Sequence, residues 1–250
     1  MSGHSHWAGI KHKKALVDAK KGKIFSKIAR DIMSAVRSGG ADPESNVKLK
    51  CALEKAREAS MPRDNIDRAI KKGLGELPGE AIEPISYEGY GPGGAAIMVD
   101  CLTDNRNRTT SEIRKIFERF GGNMGGAGCV AWMFHAKGLI TVPADSIEED
   151  RLLEIALELG VEDVDTYRGS YEIKVEPENF LKVRNGLQEK GIKIDVAQIT
   201  KIPISNVKLD DQQGRKVLSL LEALDDHDDV QQVYSNFEIS EELTAELSKS

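Results

Sequence analysis

The polarity of the chain changes in character near residue 76. From residue 23 to that point the apolar residues recur every three to four positions, a spacing typical of amphipathic helices with one buried face. The pattern predicts helices at about 23–38, 45–59 and 62–72, with the glycines at 39–40 and 73 as stops. We therefore expect an all-helical domain over residues 1–76, followed by the linker GLGELPGEAIEP.

Beyond the linker, strand-like runs alternate with helix-like runs, which is typical of α+β structure. Residues 138–202 read βαββαβ, the order of a complete ferredoxin-like unit. The flanking segments each read βαβ and would form a second ferredoxin-like domain into which the first is inserted. The predicted fold class is therefore multi-domain α and α+β, with domains at 77–136 plus 203–250 and at 137–202. The alternative is one contiguous mixed sheet.

Local signals place several element ends in this half. Thr109 with Glu112, and Ser146 with Glu149, have the spacing of capping boxes at helix N-termini. The run CVAWMFH, residues 129–135, is predicted to be a strand of its own. A helix is predicted over about 211–225.

Composition bounds the class of protein. The chain has 250 residues, of which 30% are charged, so it is long enough to bury a core and is not of disordered composition. Its apolar runs fall short of the roughly 20 residues that a membrane-spanning helix needs. Three widely separated cysteines without a CxxC pair, and a start without a secretory pattern, predict a cytoplasmic protein.

Charge is distributed unevenly along the chain. Up to Gly73 there are 17 Lys and Arg against 8 Asp and Glu, a net charge of +9. The remaining 18 bases and 33 acids give −15, so the net charge of −6 conceals a basic first domain. A basic segment of this kind favours a polyanion as partner.

The first 23 residues carry six lysines, three histidines and one tryptophan against a single acid. We interpret this segment, with the polar face of the first helix, as a phosphate-binding surface on which aromatic rings could stack on bases. A solvated tail is the alternative. The histidines lack zinc-site spacing, and chelation of Cu(II) or Ni(II) by Ser2, Gly3 and His4 would be adventitious, so no metal or cofactor is expected. The predicted nucleic-acid-binding residues are Trp7, Lys11, His12, Lys13, Lys14, Lys20, Lys21, Lys23, Lys27, Arg30, Arg37, Arg106 and Arg108.

Arg106 and Arg108 lie in the segment DNRNRT, between a predicted strand and a predicted helix. They could hold an anion there, or the segment could be a solvated loop. The glycine-rich runs GPGG and GGNMGGAG lack the order and the GK[ST] of a nucleotide loop, so tight turns are the favoured interpretation, with close approach to a ligand as the alternative. The run DDHDD, residues 225–229, is interpreted as a solvated acidic helix end. No catalytic motif is recognised, and an enzyme acting on nucleic acid ranks last among the hypotheses.

Several long segments resemble the YebC/PmpR family essentially from end to end. They are GHSHWAGIKHKKALVDAKKGKIFSKIARDI, GGADPESN, MPRDNIDRAIKKG, YEGYGPGGAAIMVDCLTDNRNRT and GGNMGGAGCVAWMF. Two departures are small: His6 stands where the family usually has lysine, and Cys129 where it usually has serine.

The resemblance implies a helical domain and two α+β domains, the last inserted into the second. It also implies a cytoplasmic, non-enzymatic regulator of gene expression that binds DNA. The alternative is a ribosome-associated translation factor that contacts ribosomal RNA or tRNA, since some relatives are tied to translation, including difficult proline-containing stretches. The family resemblance provides no catalytic residues to assign in this chain. We further expect the acidic domains to face protein partners or to stay free of the polyanion, and we expect no membrane partner.

Overall fold

The computed structural model describes residues 21–78, 81–161, 163–167 and 169–247. The chain forms two compact units. One comprises residues 132–206, and the other comprises the described residues on either side of that segment. The predicted boundary between the helical and the first α+β domain lies inside the second of these units, and it stays a prediction.

Three helices follow one another at the start of the larger unit. They are α1 (Lys21–Gly39), α2 (Val47–Glu58) and α3 (Arg63–Gly73). Their apolar faces meet in one core, which includes Ile32, Leu49 and Ala69. Buried Asn46 caps α2 through its side-chain oxygen and donates its amide hydrogens to the carbonyls of Ala35 and Gly40, so it ties the end of α1 to the start of α2.

The same unit contains a four-stranded sheet formed by β1 (Glu83–Tyr90), β2 (Ala96–Thr103), β3 (Asn123–Met124) and β9 (Val230–Ser235). The strand order is β3–β1–β2–β9, and all neighbours are antiparallel. Helices α4 (Arg106–Arg119) and α7 (Asp211–Asp225) bury Ile113, Phe117, Val217 and Leu221 in the core beside this sheet. Short β8 (Val207–Lys208) pairs with β10 (Phe237–Glu238), and α8 (Glu241–Leu247) follows.

The other unit has the βαββαβ order expected from the sequence. It runs β4 (Phe134–Pro143), α5 (Glu149–Leu159), β5 (Asp163–Tyr167), β6 (Ser170–Val175), α6 (Phe180–Glu189) and β7 (Val196–Pro203). The sheet order β5–β6–β4–β7, antiparallel throughout, is that of a ferredoxin-like fold. The predicted fold class, a helical region followed by α+β sheets, is confirmed.

Two predicted helix caps are wrong. Asn105, not Thr109, caps α4: its side-chain oxygen accepts the backbone N–H of Arg108 at 3.1 Å. Ser146 does not cap α5 but donates to the carbonyl of Pro143 at 2.6 Å. Both predictions used only the sequence spacing of a capping box. The hydrogen bonds in the turn before each helix differ from those that this spacing implies.

The predicted strand over 129–135 is also wrong. Residues Ala131–Met133 form a 3₁₀ turn, and β4 begins only at Phe134 and continues through GLITVP as one strand. Within the part of the chain that the structure describes, no helix combines the length and the apolarity needed to cross a bilayer.

Candidate nucleic-acid interface

The predicted interface begins in a segment that the structure does not describe. Trp7, Lys11, His12, Lys13, Lys14 and Lys20 lie outside the described residues. Lys21 is the first residue of α1. The described part of the predicted surface therefore starts on α1, where Lys23, Lys27, Arg30 and Arg37 follow one another along the helix.

The first two of these cations contact the acidic end of α7. Lys23 Nζ lies 3.4 Å from the carboxylate of Asp226, in an exposed pair. Lys27 Nζ lies 3.2 Å from the carboxylate of Asp225 and donates to its backbone carbonyl at 2.6 Å. Because the C-terminal end of a helix carries partial negative charge, α7 attracts both ammonium groups through its dipole as well as its carboxylates.

Arg30 reaches a more deeply buried acid. Its guanidinium lies 3.0 Å from the carboxylate of Asp229, whose side chain is only 2% exposed, and it also donates to the carbonyl of Asp228. The other carboxylate oxygen of Asp229 accepts the Thr109 hydroxyl at 2.6 Å and the Arg108 guanidinium at 2.8 Å. Asp229 thus joins α1 of the helical region to the first turn of α4.

The pKa of Asp229 reflects this arrangement. Burial alone would raise the pKa of the carboxyl group, but hydrogen bonds from Thr109 and Arg108 and the charges of Arg30 and Arg108 outweigh it and lower the pKa. Asp229 therefore stays ionised with its charge compensated. The interpretation of residues 225–229 as a solvated acidic end is wrong, because three of its four acids hold α1 through ion pairs.

His227 lies at the edge of this cluster. Its Nδ1 accepts the backbone N–H of Asp229 at 3.1 Å, so its Nε2 carries the proton that it donates to Glu112 at 2.9 Å. Single ligand atoms of Glu112, His227 and Asp229 lie within 4.8 Å of one another, a spacing that a metal ion could use. Since two guanidinium groups already neutralise Asp229, the geometry fits an ion-pair hub better than a cation site.

The arginines of the DNRNRT segment take different roles. Arg108 is held by Asp104 at 2.9 Å and by Asp229 at 2.8 Å, which raises its pKa further and fixes it within the protein. The Arg106 side chain is exposed and has no hydrogen bond or ion pair with the described residues. Of the two predicted anion contacts, Arg106 is therefore the one whose charge is open to a partner.

A cleft of about 230 Å³ lies where α1 and α3 end, and we call it the cationic cleft. Gly73 permits the close approach of the two helices, since a Cβ atom there would lie 2.8 Å from that of Val36. Arg37 and Lys72 line the cleft, are exposed, and make no ion pair with any described residue. The remaining lining residues are Arg30, Met33, Ile82 and Asp104. Arg37 was predicted, whereas Lys72 was missed although MPRDNIDRAIKKG has two lysines before its final glycine.

The glycine-rich segments serve the fold. GPGG closes the β1–β2 hairpin, with Gly93 and Gly94 at φ of +72° and +79°, a region that glycine tolerates best. Gly121 follows the end of α4, and the rest of GGNMGGAG leads into a turn around Glu88, which is 6% exposed. The Glu88 carboxylate accepts the backbone N–H groups of Gly128, Val130 and Ala131 at 2.7, 2.7 and 2.8 Å. This loop thus binds an anion, but the anion belongs to the protein itself.

These features define the class of protein: a cationic three-helix region joined through ion pairs, one of them to buried Asp229, to an α+β sheet, with a ferredoxin-like unit inserted after residue 131. Two family models match, "TACO1/YebC protein N-terminal domain" over residues 5–76 and "TACO1/YebC second and third domain" over residues 82–237. The chain belongs to the TACO1/YebC family, which confirms the resemblance seen in the sequence.

Curated relatives match over nearly their whole length. A protein of Dictyoglomus turgidum, named "Probable transcriptional regulatory protein", is 53% identical over 249 residues, covering 99% of this chain and 100% of its own. A protein of the same name from Aquifex aeolicus is 54% identical over 244 residues, covering 97% and 98%. A crystal structure of a conserved hypothetical protein from Aquifex aeolicus matches at a TM-score of 0.84 and 53% identity, covering 94% of this chain and 98% of that one.

Proposed function

We propose that this protein is a non-enzymatic, nucleic-acid-binding regulator of gene expression, and that DNA is its target. Two findings support the proposal. Relatives that are more than half identical are named as probable transcriptional regulatory proteins. The helical region, for its part, presents cations that no acid of the described chain neutralises.

The observation that carries the proposal is the cationic cleft. Because Arg37 and Lys72 share a cleft without an acid partner of their own, a bound phosphate group would supply the missing negative charge. Asp104, the one acid in the lining, is already paired with Arg108. Residues 11–21, with five further lysines, extend the same positive charge along the chain.

We further divide the predicted phosphate contacts into two groups according to their ion pairs. Lys23, Lys27 and Arg30 are neutralised by the protein's own acids and serve to join α1 to the α+β sheet. Arg37 and Arg106, together with Lys72, are the described cations that we assign to the nucleic acid.

A double variant, Arg37→Ala with Lys72→Ala, tests the assignment. Its affinity for a duplex DNA is compared with that of the wild type from 50 to 200 mM salt. Each phosphate contact contributes about −0.9 to the slope of log K against log salt for duplex DNA. The slope should therefore become less steep by about 1.8, and affinity should fall at every salt concentration.

The control is Lys182→Ala with Lys208→Ala, which removes the same charge from two exposed lysines that lie outside the helical region. The control should retain the wild-type slope. Equal slopes for the wild type and the cleft variant would remove the cleft from the mechanism.

The second candidate function is that of a translation factor on the ribosome. Binding to RNA and to DNA is compared to distinguish it from a DNA-binding regulator. The same titrations are run with a structured RNA hairpin of equal length, and the protein is tested for co-sedimentation with ribosomes. Tighter binding to duplex DNA supports the proposal. Preference for the hairpin, with co-sedimentation that the cleft variant loses, would assign the cleft to ribosomal RNA instead.

A further inference from the structure

A second cluster of cations lies on the α+β part of the larger unit, away from the helical region. A groove of about 460 Å³ runs between the end of α4 and the first half of α7. Arg119 comes from α4, whereas Arg215, Lys216 and Ser219 come from α7. Phe120 and Pro92 complete most of the lining.

This clustering stands out against the charge of its surroundings. Residues 82–131 and 207–247 together carry eight Lys and Arg against 17 Asp and Glu. Three of those eight cations line the one groove. At Arg108, by contrast, three carboxylates lie around a single cation.

Most of the positive charge in the groove is not neutralised. Arg215 pairs with Glu246 of α8, which also raises the pKa of its guanidinium group. Lys216 and Arg119 are exposed and make no ion pair with the described part of the chain. The Arg119 guanidinium lies 5.6 Å from the centre of the Phe120 ring, a cation–π contact that orients it without cancelling its charge.

The C-terminal end of α4 repels an anion less strongly than a helix end with unpaired carbonyl groups would. The carbonyls of Ile116, Phe117 and Glu118 accept the N–H groups of Phe120, Gly122 and Gly121 respectively, so the last turn is closed on itself. Gly121 has no side chain, and space for a Cβ atom is open to within 4.0 Å of Pro92. Gly121 therefore adds no side chain that would narrow this end of the groove.

We infer that the groove between α4 and α7 is a second phosphate-binding site, which contacts the backbone of the same nucleic acid that the helical region binds. The identity of the ligand rests on the proposed function. The site itself rests on Arg119, Arg215, Lys216 and the hydroxyl of Ser219, which together suit a phosphodiester group. On this inference, the α+β part contributes to binding directly and does not merely carry the helical region.

The test uses the full chain with Arg119→Ala and Lys216→Ala, because neither side chain holds an internal ion pair and the variant should fold. Affinity for a duplex DNA long enough to extend beyond one site is measured from 50 to 200 mM salt. Two lost contacts should reduce the salt slope by about 1.8 and weaken binding by about tenfold or more near 100 mM salt. The conservative variant Arg119→Lys with Lys216→Arg should retain the slope.

Three comparisons make the outcome decisive. Lys182→Ala with Lys208→Ala controls for the change in net charge, and an effect as large as that of the groove variant would overturn the inference. An unchanged slope in the groove variant, alongside a reduced slope in the cleft variant, would overturn the groove and leave the proposed function standing. The reverse result would support the groove and overturn the cleft.

The last comparison separates a nucleic acid from a small phosphate compound. Thermal unfolding is measured with inorganic triphosphate for the wild type and the groove variant. Impaired DNA binding in the variant supports the inference, whether the shift with triphosphate is equal in both proteins or smaller in the variant. A shift confined to the wild type, with DNA affinity unchanged in the variant, would make the groove a site for a small phosphorylated ligand and overturn it.

Discussion

Two buried carboxylates of the larger unit, Asp229 and Glu88, are stabilised by different means. Asp229 is surrounded by side chains of other elements, with Arg30 from α1 and Arg108 and Thr109 from α4. The Glu88 carboxylate instead accepts three backbone N–H groups from one loop, those of Gly128, Val130 and Ala131. The first arrangement holds separate parts of the chain together, whereas the second shapes one loop. The same charge thus has a long-range role in one region and a local role in the other.

The largest effect should come from Asp229→Ala. The substitution leaves Arg30 and Arg108 close together without the acid between them, and it leaves the Thr109 hydroxyl without its acceptor. Removal of one partner from a buried ion pair typically costs about 3–5 kcal/mol, so we expect a loss of about that size in the free energy of unfolding. Urea unfolding at neutral pH, followed by circular dichroism, measures it.

The long-range role of Asp229 also predicts which amides lose protection from hydrogen exchange. Since Asp229 joins α1 to α4, amide hydrogen exchange in α1 should accelerate in this variant, while exchange in the ferredoxin-like unit should not change. A loss below about 1 kcal/mol, or exchange that accelerates only near residue 229, would show that the hub does not hold the helical region.

Glu88→Ala should have a smaller and more local effect. It leaves three N–H groups without their acceptor, but the loop is near the surface and water can replace part of the lost hydrogen bonding. We expect the free energy of unfolding to fall by about 2–3 kcal/mol. Exchange of the amides of Gly128, Val130 and Ala131 should accelerate at least tenfold.

The matched control is Glu118→Ala, which removes an exposed carboxylate from α4 and should leave those three amides protected. If exchange in α1 accelerated as strongly as exchange in the loop, the contrast between a local and a long-range carboxylate would be wrong.

Acid should weaken the Asp229 hub in a defined range. The folded pKa of Asp229 lies below that of the unfolded chain, which is about 3.9 for an aspartate. Its contribution to stability is therefore fully present above that value and is lost as the pH falls through the folded pKa. The difference in unfolding free energy between wild type and Asp229→Asn should be constant from pH 7 to about 5 and shrink below pH 4. A difference that grows as the pH falls would reverse the sign of the assigned shift.

The fold could be predicted from sequence wherever periodicity carried the signal. Residues 23–38 and 211–225 became helices within two residues of the prediction, and the order βαββαβ gave the ferredoxin-like unit. Thr109 was misassigned because a capping box is a local spacing, whereas its hydroxyl serves an acid 120 residues away. Spacing alone could not distinguish those two roles.

The candidate site was harder to predict for a related reason. A run of acids and a run of lysines each look solvated when considered alone, and only the folded chain brings residues 225–229 against α1. The cations that remain available are therefore those that found no acid, and which ones these are depends on tertiary structure. Arg37 was predicted together with paired Arg30, since nothing in the helix itself separates them.

The smallest effect should come from the exposed pair at the edge of the same acidic run. Lys23 and Asp226 are 44% and 62% exposed, so Lys23→Ala should change the free energy of unfolding by about 0.5 kcal/mol or less. Its consequence for nucleic-acid binding is more informative. If Lys23 is paired with Asp226 and does not contact DNA, the Lys23→Ala variant should have a salt slope for duplex DNA within about 0.3 of the wild-type value. Arg37→Ala, by contrast, should reduce that slope by about 0.9. The double variant Lys23→Ala with Asp226→Ala should then match the wild type in both measurements. A slope reduced by a full contact in Lys23→Ala would mean that the nucleic acid displaces Asp226, and the division between paired and available cations on α1 would no longer hold.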